Sequence, residues 1–357
     1  MHCQWETFVV DPRPVYRYQV MGNRYTPKIT RSSSSSRADN RHVSLVFLHA
    51  VGMFKESFEP VIGILLKSPL DIQSPSGSPM IVAEAWSTEC PNHGQSAVLN
   101  ADDIRGENGG PCSMNDFADA VYVYLRSNPG RSIDVSLPPS RDFVQSGFER
   151  FELNTCSSPL LAQMQPRLNI HSAILADPVV GPGDQASKSF MAILSASSLS
   201  RQDVWSNRAQ ATKQLPTLSL MRGWSPEACE LYLMNALIPH PAHALPQPFA
   251  FKGVTTACAR DHEAFIFRSI VQDGSAYNHL AALYASDIPT HLLYNAIPAQ
   301  LTAKMMPKLL SCKGQTPTST RPVHGHMFFQ INPALAAEVL LDVLQHDQTS
   351  TNVSARL

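Results

Sequence analysis

No stretch of the 357-residue chain approaches the ~18 consecutive apolar residues of a membrane helix, so no span is expected. Neither sign of charge is in excess, with 28 Lys plus Arg against 29 Asp plus Glu, which removes the basic face that nucleic-acid binding needs. The 7 cysteines (Cys3, Cys90, Cys112, Cys156, Cys229, Cys258, Cys312) are odd in number, scattered and never spaced C-x-x-C. That pattern argues against a disulfide framework and for a reducing compartment. There is no H-E-x-x-H; Cys90/His93 and His240/His243 have ligand-like spacing but no matching second pair, so no metal site and no cofactor are expected. Residues 1–13 lack the basic-then-apolar order of a secretory signal. These absences describe an intracellular protein that acts on, or binds, a small molecule.

What is present is the alternation of an α/β protein. Residues 7–28 read as a β-hairpin, and 32–40 as a flexible polar loop containing the serine run Ser32 to Ser36. Leu45-Val46-Phe47-Leu48 is a strand buried on both faces, His49-Ala50-Val51-Gly52 turns the chain, and 55–66 is an amphipathic helix. A second strand is expected at 78–86, and a helix at 113–127 with Ser113 as cap and Phe117, Val121, Tyr124 and Leu125 as its apolar stripe. A strand follows at 170–180. Residues 181–286 lose the rhythm and look helical in pieces, as an inserted cap. The pattern resumes at 288–294 and closes on a helix 333–345 whose apolar side holds Leu335, Val339, Leu340, Val343 and Leu344. The expected organisation is an α/β core in two parts, 1–180 and 287–347, a cap 181–286, and a flexible tail 348–357. The sheet should be mostly parallel with helices on both faces.

Three features of that core point to acyl-transfer chemistry on an α/β-hydrolase fold. The strand-turn-helix around LVFLHAVG stands where such enzymes carry the loop whose backbone N–H groups hold an oxyanion. Late in the chain, Gly325-His326 precedes the final helix, the usual place of the general base, with His324 as a nearby competitor. No Asp or Glu occurs between Ile288 and Gln330, so the acid that orients the imidazole falls by elimination on Asp177, at the end of the 170–180 strand. Asp261-His262-Glu263 reads as a solvated helix start. What is missing is the nucleophile. From Gly130 to Pro159 there is neither a four-residue apolar run nor G-x-S-x-G, the motif whose glycines permit a strained turn. At the other end, Ala355-Arg356-Leu357 matches the small-basic-leucine pattern of peroxisomal import and follows a polar segment where a receptor could reach it.

Several segments together, HAVGMFKESFEPV (49–61), WSTECPNHGQSAVLN (86–100), ILADPVV (174–180), SRQDVWSNRAQA (200–211), GVTTACARDHEAF (253–265) and GHMFFQINP (325–333), resemble a fungal group of peroxisomal α/β-hydrolases. The group includes AK-toxin biosynthesis hydrolases, the yeast peroxisomal lipase and the acyl-CoA hydrolase of mycophenolic acid biosynthesis. The resemblance spans about residues 41–345. It implies a peroxisomal hydrolase of secondary-metabolite, toxin-type biosynthesis acting on an ester or acyl-CoA thioester. It places acid and base at Asp177 and His326 and an oxyanion donor at the Val51 N–H. The group's GHS-type elbow should fall at about 150–155, where this chain reads Arg150-Phe151-Glu152-Leu153-Asn154-Thr155. Three readings of 131–155 stand: a displaced coding junction, a non-catalytic relative that binds an acyl ligand, or a substitute nucleophile at Ser157, Ser146 or Ser158.

Overall fold

A computed structural model describes residues 3–28, 41–67, 80–106, 109–129, 151–154, 158–218, 221–270, 274–298 and 300–354. Its strands, in chain order, are β1 (Cys3–Val10), β2 (Val20–Pro27), β3 (Arg41–Leu48), β4 (Met80–Thr88), β5 (Phe151–Asn154), β6 (Ile170–Ala176), β7 (Val204–Trp205), β8 (Leu237–Pro239), β9 (Val254–Thr256), β10 (Thr290–Asn295) and β11 (Ser319–Val323). Among the described residues, eight of them form one sheet in the order β1-β2-β4-β3-β5-β6-β10-β11. β1 and β2 are antiparallel, as the hairpin pattern predicts, and β2 meets β4 antiparallel; every pairing from β4 to β11 is parallel.

β3 shows why its sequence is an unbroken apolar run. Leu45 and Phe47 pack on one face against Phe58, Val61, Ile62 and Leu65 of the segment 55–65 and against Ala336, Leu340, Val343 and Leu344 of the last helix. Val46 and Leu48 pack on the other face against Trp86 and against Phe117, Val121, Tyr124 and Leu125 of the helix Met114–Arg126. With period-two alternation, a strand covered on both sides must be apolar at every position. Ser113 caps that second helix, its hydroxyl accepting from the Asp116 N–H at 3.1 Å.

The structure departs from the sequence expectations in four places. The region without an apolar run does contain a strand. β5 pairs on both sides, with β3 and β6, at the centre of the sheet. A main chain held by ladders on both edges does not need an apolar sequence to be extended. The last helix runs on to Ser354, through residues expected as flexible tail. Its buried stripe is Ala336, Ala337, Leu340, Val343 and Leu344, whereas Leu335 is exposed, because the side of the helix that packs against the helix Glu59–Leu65 is the one that carries the alanines. Finally, the insertion is not helical alone. Its helices accompany a small antiparallel sheet, β7-β9-β8, which Trp205 helps to pack. The helix Ser275–Tyr284, by contrast, buries Tyr277, Leu280 and Leu283 with Leu175 of β6 and Leu292 of β10, beneath the main sheet. The segment 32–36 lies outside the described residues.

Candidate active site

Because β3, β6, β10 and β11 are parallel, their C-terminal ends share one edge of the sheet, and the loops that follow them converge there. Asp177 follows β6 in a left-handed conformation, φ +43°, which Asp tolerates better than most residues. Its N–H donates to the Leu293 carbonyl at 2.7 Å. Gly325-His326 follows β11, with Gly325 at φ +87°. The His326 Nδ1–H donates to Asp177 Oδ2 at 2.6 Å. A carboxylate can only accept here, so in the neutral ring the proton sits on Nδ1 and leaves the lone pair on Nε2, the tautomer a general base requires. His324, in contrast, lines neither of the cavities beside this pair.

Asn295, the last residue of β10, joins the two loops. Its N–H donates to Asp177 Oδ1 at 3.2 Å, and its Oδ1 accepts from the Gly325 N–H at 3.2 Å and the Ile297 N–H at 3.1 Å. Asn295 is not found from the sequence because a carboxylate is expected at that strand end. Its main chain and side chain divide the connecting instead, the N–H donating to Asp177 and the side-chain oxygen accepting from the loop of Gly325.

The turn after β3 is fixed from beneath by two buried histidines. His49 Nδ1–H donates to the Ala50 carbonyl at 2.9 Å, and its Nε2 accepts from the Cys90 N–H at 3.0 Å. His93 Nε2 accepts from the Gly52 N–H at 3.0 Å, with its Nδ1–H on Asn92 Oδ1 at 2.8 Å. Burial pulls His49 down to about 4 and holds His93 well below the ordinary imidazole range, so both are neutral and able to accept. Gly52 adopts φ +80°, which a Cβ would oppose. Its N–H is occupied by His93, whereas the Val51 N–H has no hydrogen-bond partner among the described residues. Of the residues with ligand-like spacing, His93 thus spends one ring nitrogen on the Gly52 N–H and the other on Asn92, and His240 Nδ1 accepts from the Ala242 N–H.

Val51, Gly52, Asp177 and His326 line one cavity of about 270 Å³, completed on the cap side by Leu194, Phe267 and Ile270. A second cavity of about 290 Å³ adjoins it past Asp177 and His326, walled by Phe190, Met305, Met306 and Leu309. The cap contributes one charged pair to the first cavity. Arg201 Nη2 donates to Glu263 Oε1 at 2.5 Å, and the Glu263 side chain is only 4 % exposed. This overturns the reading of 261–263 as a solvated helix start. Asp261 is exposed, but Glu263, two positions on, faces inward and finds Arg201. A charged triplet does not reveal which of its members has a buried partner.

Of the candidate nucleophiles, Ser158 begins the helix Ser158–Leu161 that follows β5. Ser146 and Ser157 lie outside the described residues, as do Ala355, Arg356 and Leu357.

The strand order and the loops that converge at one edge of the sheet define an α/β-hydrolase fold. Solved structures of similar fold agree. The peroxisomal α/β-hydrolase Lpx1 of Saccharomyces cerevisiae superposes with a TM-score of 0.65 at 16 % identity, over 98 % of this chain and 90 % of that one. E-2-(acetamidomethylene)succinate hydrolase gives 0.59 at 12 % identity, over 95 % and 98 %. The thioesterase domain from the curacin biosynthetic pathway gives 0.53 at 13 % identity, over 95 % and 99 %. No protein-family model and no curated protein sequence matches the chain. Among the described residues, no helix is long and apolar enough to cross a membrane.

Proposed function

We propose that the protein is a serine acyl hydrolase that cleaves an ester or acyl-CoA thioester. The observation that carries this reading is the His326–Asp177 pair at 2.6 Å, on the wall of an apolar cavity that Val51 also lines. In this reaction a serine Oγ attacks the acyl carbonyl while His326 Nε2 takes its proton. The negative charge that develops on the carbonyl oxygen is met by the Val51 N–H. His326 then returns the proton to the departing alcohol or thiol, and water, activated by the same imidazole, hydrolyses the acyl-enzyme. Asp177 holds the tautomer and balances the imidazolium that forms.

The nucleophile we assign is Ser157, with Ser146 and Ser158 as alternatives. β5 lies between β3 and β6, whose ends carry the Val51 loop and Asp177, and Ser157 belongs to the three residues that connect β5 to the next helix. The apolar cavities suit an acyl chain. The segment resemblance supports a place in fungal secondary-metabolite, toxin-type biosynthesis. The Ala355-Arg356-Leu357 terminus, together with a peroxisomal protein among the similar structures, supports import into peroxisomes through the tripeptide receptor.

A fluorophosphonate probe tests the chemistry. Stoichiometric labelling that maps to Ser157 and is lost in His326→Ala is the expected result. The absence of G-x-S-x-G over 150–159 favours a second reading, an inactive fold that binds an acyl ligand. Folded protein that takes no label but is stabilised thermally by octanoate would establish it instead. For the address, deleting Ala355–Leu357 should release a tagged protein from punctate bodies into the cytosol. Unchanged import would refute the signal.

A further inference from the structure

The turn that presents Val51 is held on two sides. From the core, His93 takes the Gly52 N–H at 3.0 Å. From the cap, Glu263 lies against the Cα of the same glycine: a Cβ built on Gly52 would stand 3.0 Å from Glu263 Oε1. The next two residues, Met53 and Phe54, belong to the apolar cluster of the cap with Trp205, Trp224 and Tyr232, and the Phe54 and Tyr232 rings are 5.8 Å apart. The cap is therefore part of what shapes the loop.

The choice of a carboxylate for this contact needs an explanation. Burying Glu263 is costly, and an apolar side chain would fill the space without that cost. A lone negative charge one residue from the Val51 N–H would also oppose the charge that develops on a reacting carbonyl. Arg201, at the end of the helix Gln185–Ser200, removes that objection by pairing with Glu263 at 2.5 Å. The two cap helices that carry the pair are themselves joined, the Ser195 hydroxyl donating to the Ala264 carbonyl at 2.9 Å.

We propose that Arg201 and Glu263 are a positioning pair through which the cap sets the oxyanion loop: Glu263 braces Gly52 against His93, and Arg201 cancels the charge that Glu263 brings there. The proposal rests on the acyl-hydrolase reading for its effect on turnover, but the brace itself is independent of turnover.

The test uses full-length protein with Arg201→Met, Glu263→Gln, the double variant and Glu263→Ala. With p-nitrophenyl octanoate, Arg201→Met should lower kcat by about 100-fold with KM nearly unchanged, and Glu263→Gln by about 10-fold. The double variant, having no uncompensated charge, should be faster than Arg201→Met alone. Losses that add in the double variant, or a rise in KM with kcat unchanged, would overturn the electrostatic role. Hydrogen exchange resolved to single amides tests the brace directly. In Glu263→Ala the Gly52 amide should exchange at least about 10-fold faster while the β3 amides at 45–47 keep their wild-type rates. Equal Gly52 rates in the two proteins would overturn the brace. If wild-type protein shows no turnover, the hydrolase reading fails and the exchange result alone decides the brace.

Discussion

Replacing Asp177 by Asn separates the electrostatic role of this side chain from its structural one. The residue occupies φ +43°, a conformation Asn tolerates as readily as Asp, so the backbone has no reason to move. The carboxamide oxygen can still accept from the Asn295 N–H, now at 3.2 Å from Oδ1. What changes is the atom facing His326. In place of Oδ2, 2.6 Å from Nδ1, stands an NH2 group that can only donate. The imidazole must then accept at Nδ1 and carry its proton on Nε2, where a base needs a lone pair. The expected loss in kcat is about 10⁴-fold, roughly 5.5 kcal/mol of transition-state stabilisation, with KM little changed. Stability to urea should stay within about 1 kcal/mol of wild type. Asp177→Ala supplies the contrast. It adds about 1–2 kcal/mol of left-handed backbone strain and about 1 kcal/mol for the orphaned Asn295 N–H, and should unfold 2–3 kcal/mol more easily, by about that margin. Steady-state hydrolysis of p-nitrophenyl octanoate and urea melts of both variants make the comparison. An Asn variant within 10-fold of wild-type kcat would refute the tautomer argument, since about 1.4 kcal/mol is too little for an inverted base.

Three further outcomes follow from other parts of the molecule. Gly94→Ala should cost at least about 3 kcal/mol in urea denaturation: at φ +47° its Cβ would lie 2.0 Å from Glu89 Oε1, displacing a fully buried carboxylate that accepts from the Lys55 and Ser96 N–H groups. A cost below about 1 kcal/mol would show that Glu89 can move. Glu59 is pushed up to about 7 by burial and by the neighbouring Glu56. The native carboxyl therefore binds more protons than the unfolded one between pH 4.5 and about 7, so its contribution is complete below the unfolded value and is lost as pH rises through about 7. Glu59→Gln should remove this loss, worth about 2.5 kcal/mol between about pH 5 and 8, and identical pH profiles for the two proteins would contradict it. Finally, His93→Leu should speed Gly52 amide exchange by at least about 10-fold, whereas His93→Gln, which retains an acceptor, should recover part of the protection. Equal rates for the two variants would remove His93 as the anchor of the turn.

Much of the framework was legible because it follows from local periodicity. The unbroken run at 45–48 foretold a strand covered on both faces, and Ser113 with the stripe from Phe117 to Leu125 foretold a capped helix on one of them. β5 was not legible, because its extended form comes from neighbours distant in sequence rather than from its own residues. Leu335 lies outside the buried stripe for a related reason: helical spacing allows several apolar stripes, and contact with the helix Glu59–Leu65 selected the one built on Ala336 and Ala337.

The same division runs through the site. By itself the sequence determined the residue types and their order: a βα turn of small residues, an aspartate after one strand, a Gly-His before the last helix. Those are properties of short segments and survive in a linear reading. Only the tertiary structure decided what each segment meets. It brought Asp177 within 2.6 Å of His326 across 149 positions of chain, tied Asn295 to both of their loops, and turned Glu263 inward to Arg201 beside Gly52. The reason is the parallel sheet, which gathers the ends of strands far apart in sequence at one edge. Partnership between side chains is fixed there, by distance and burial, and not along the chain.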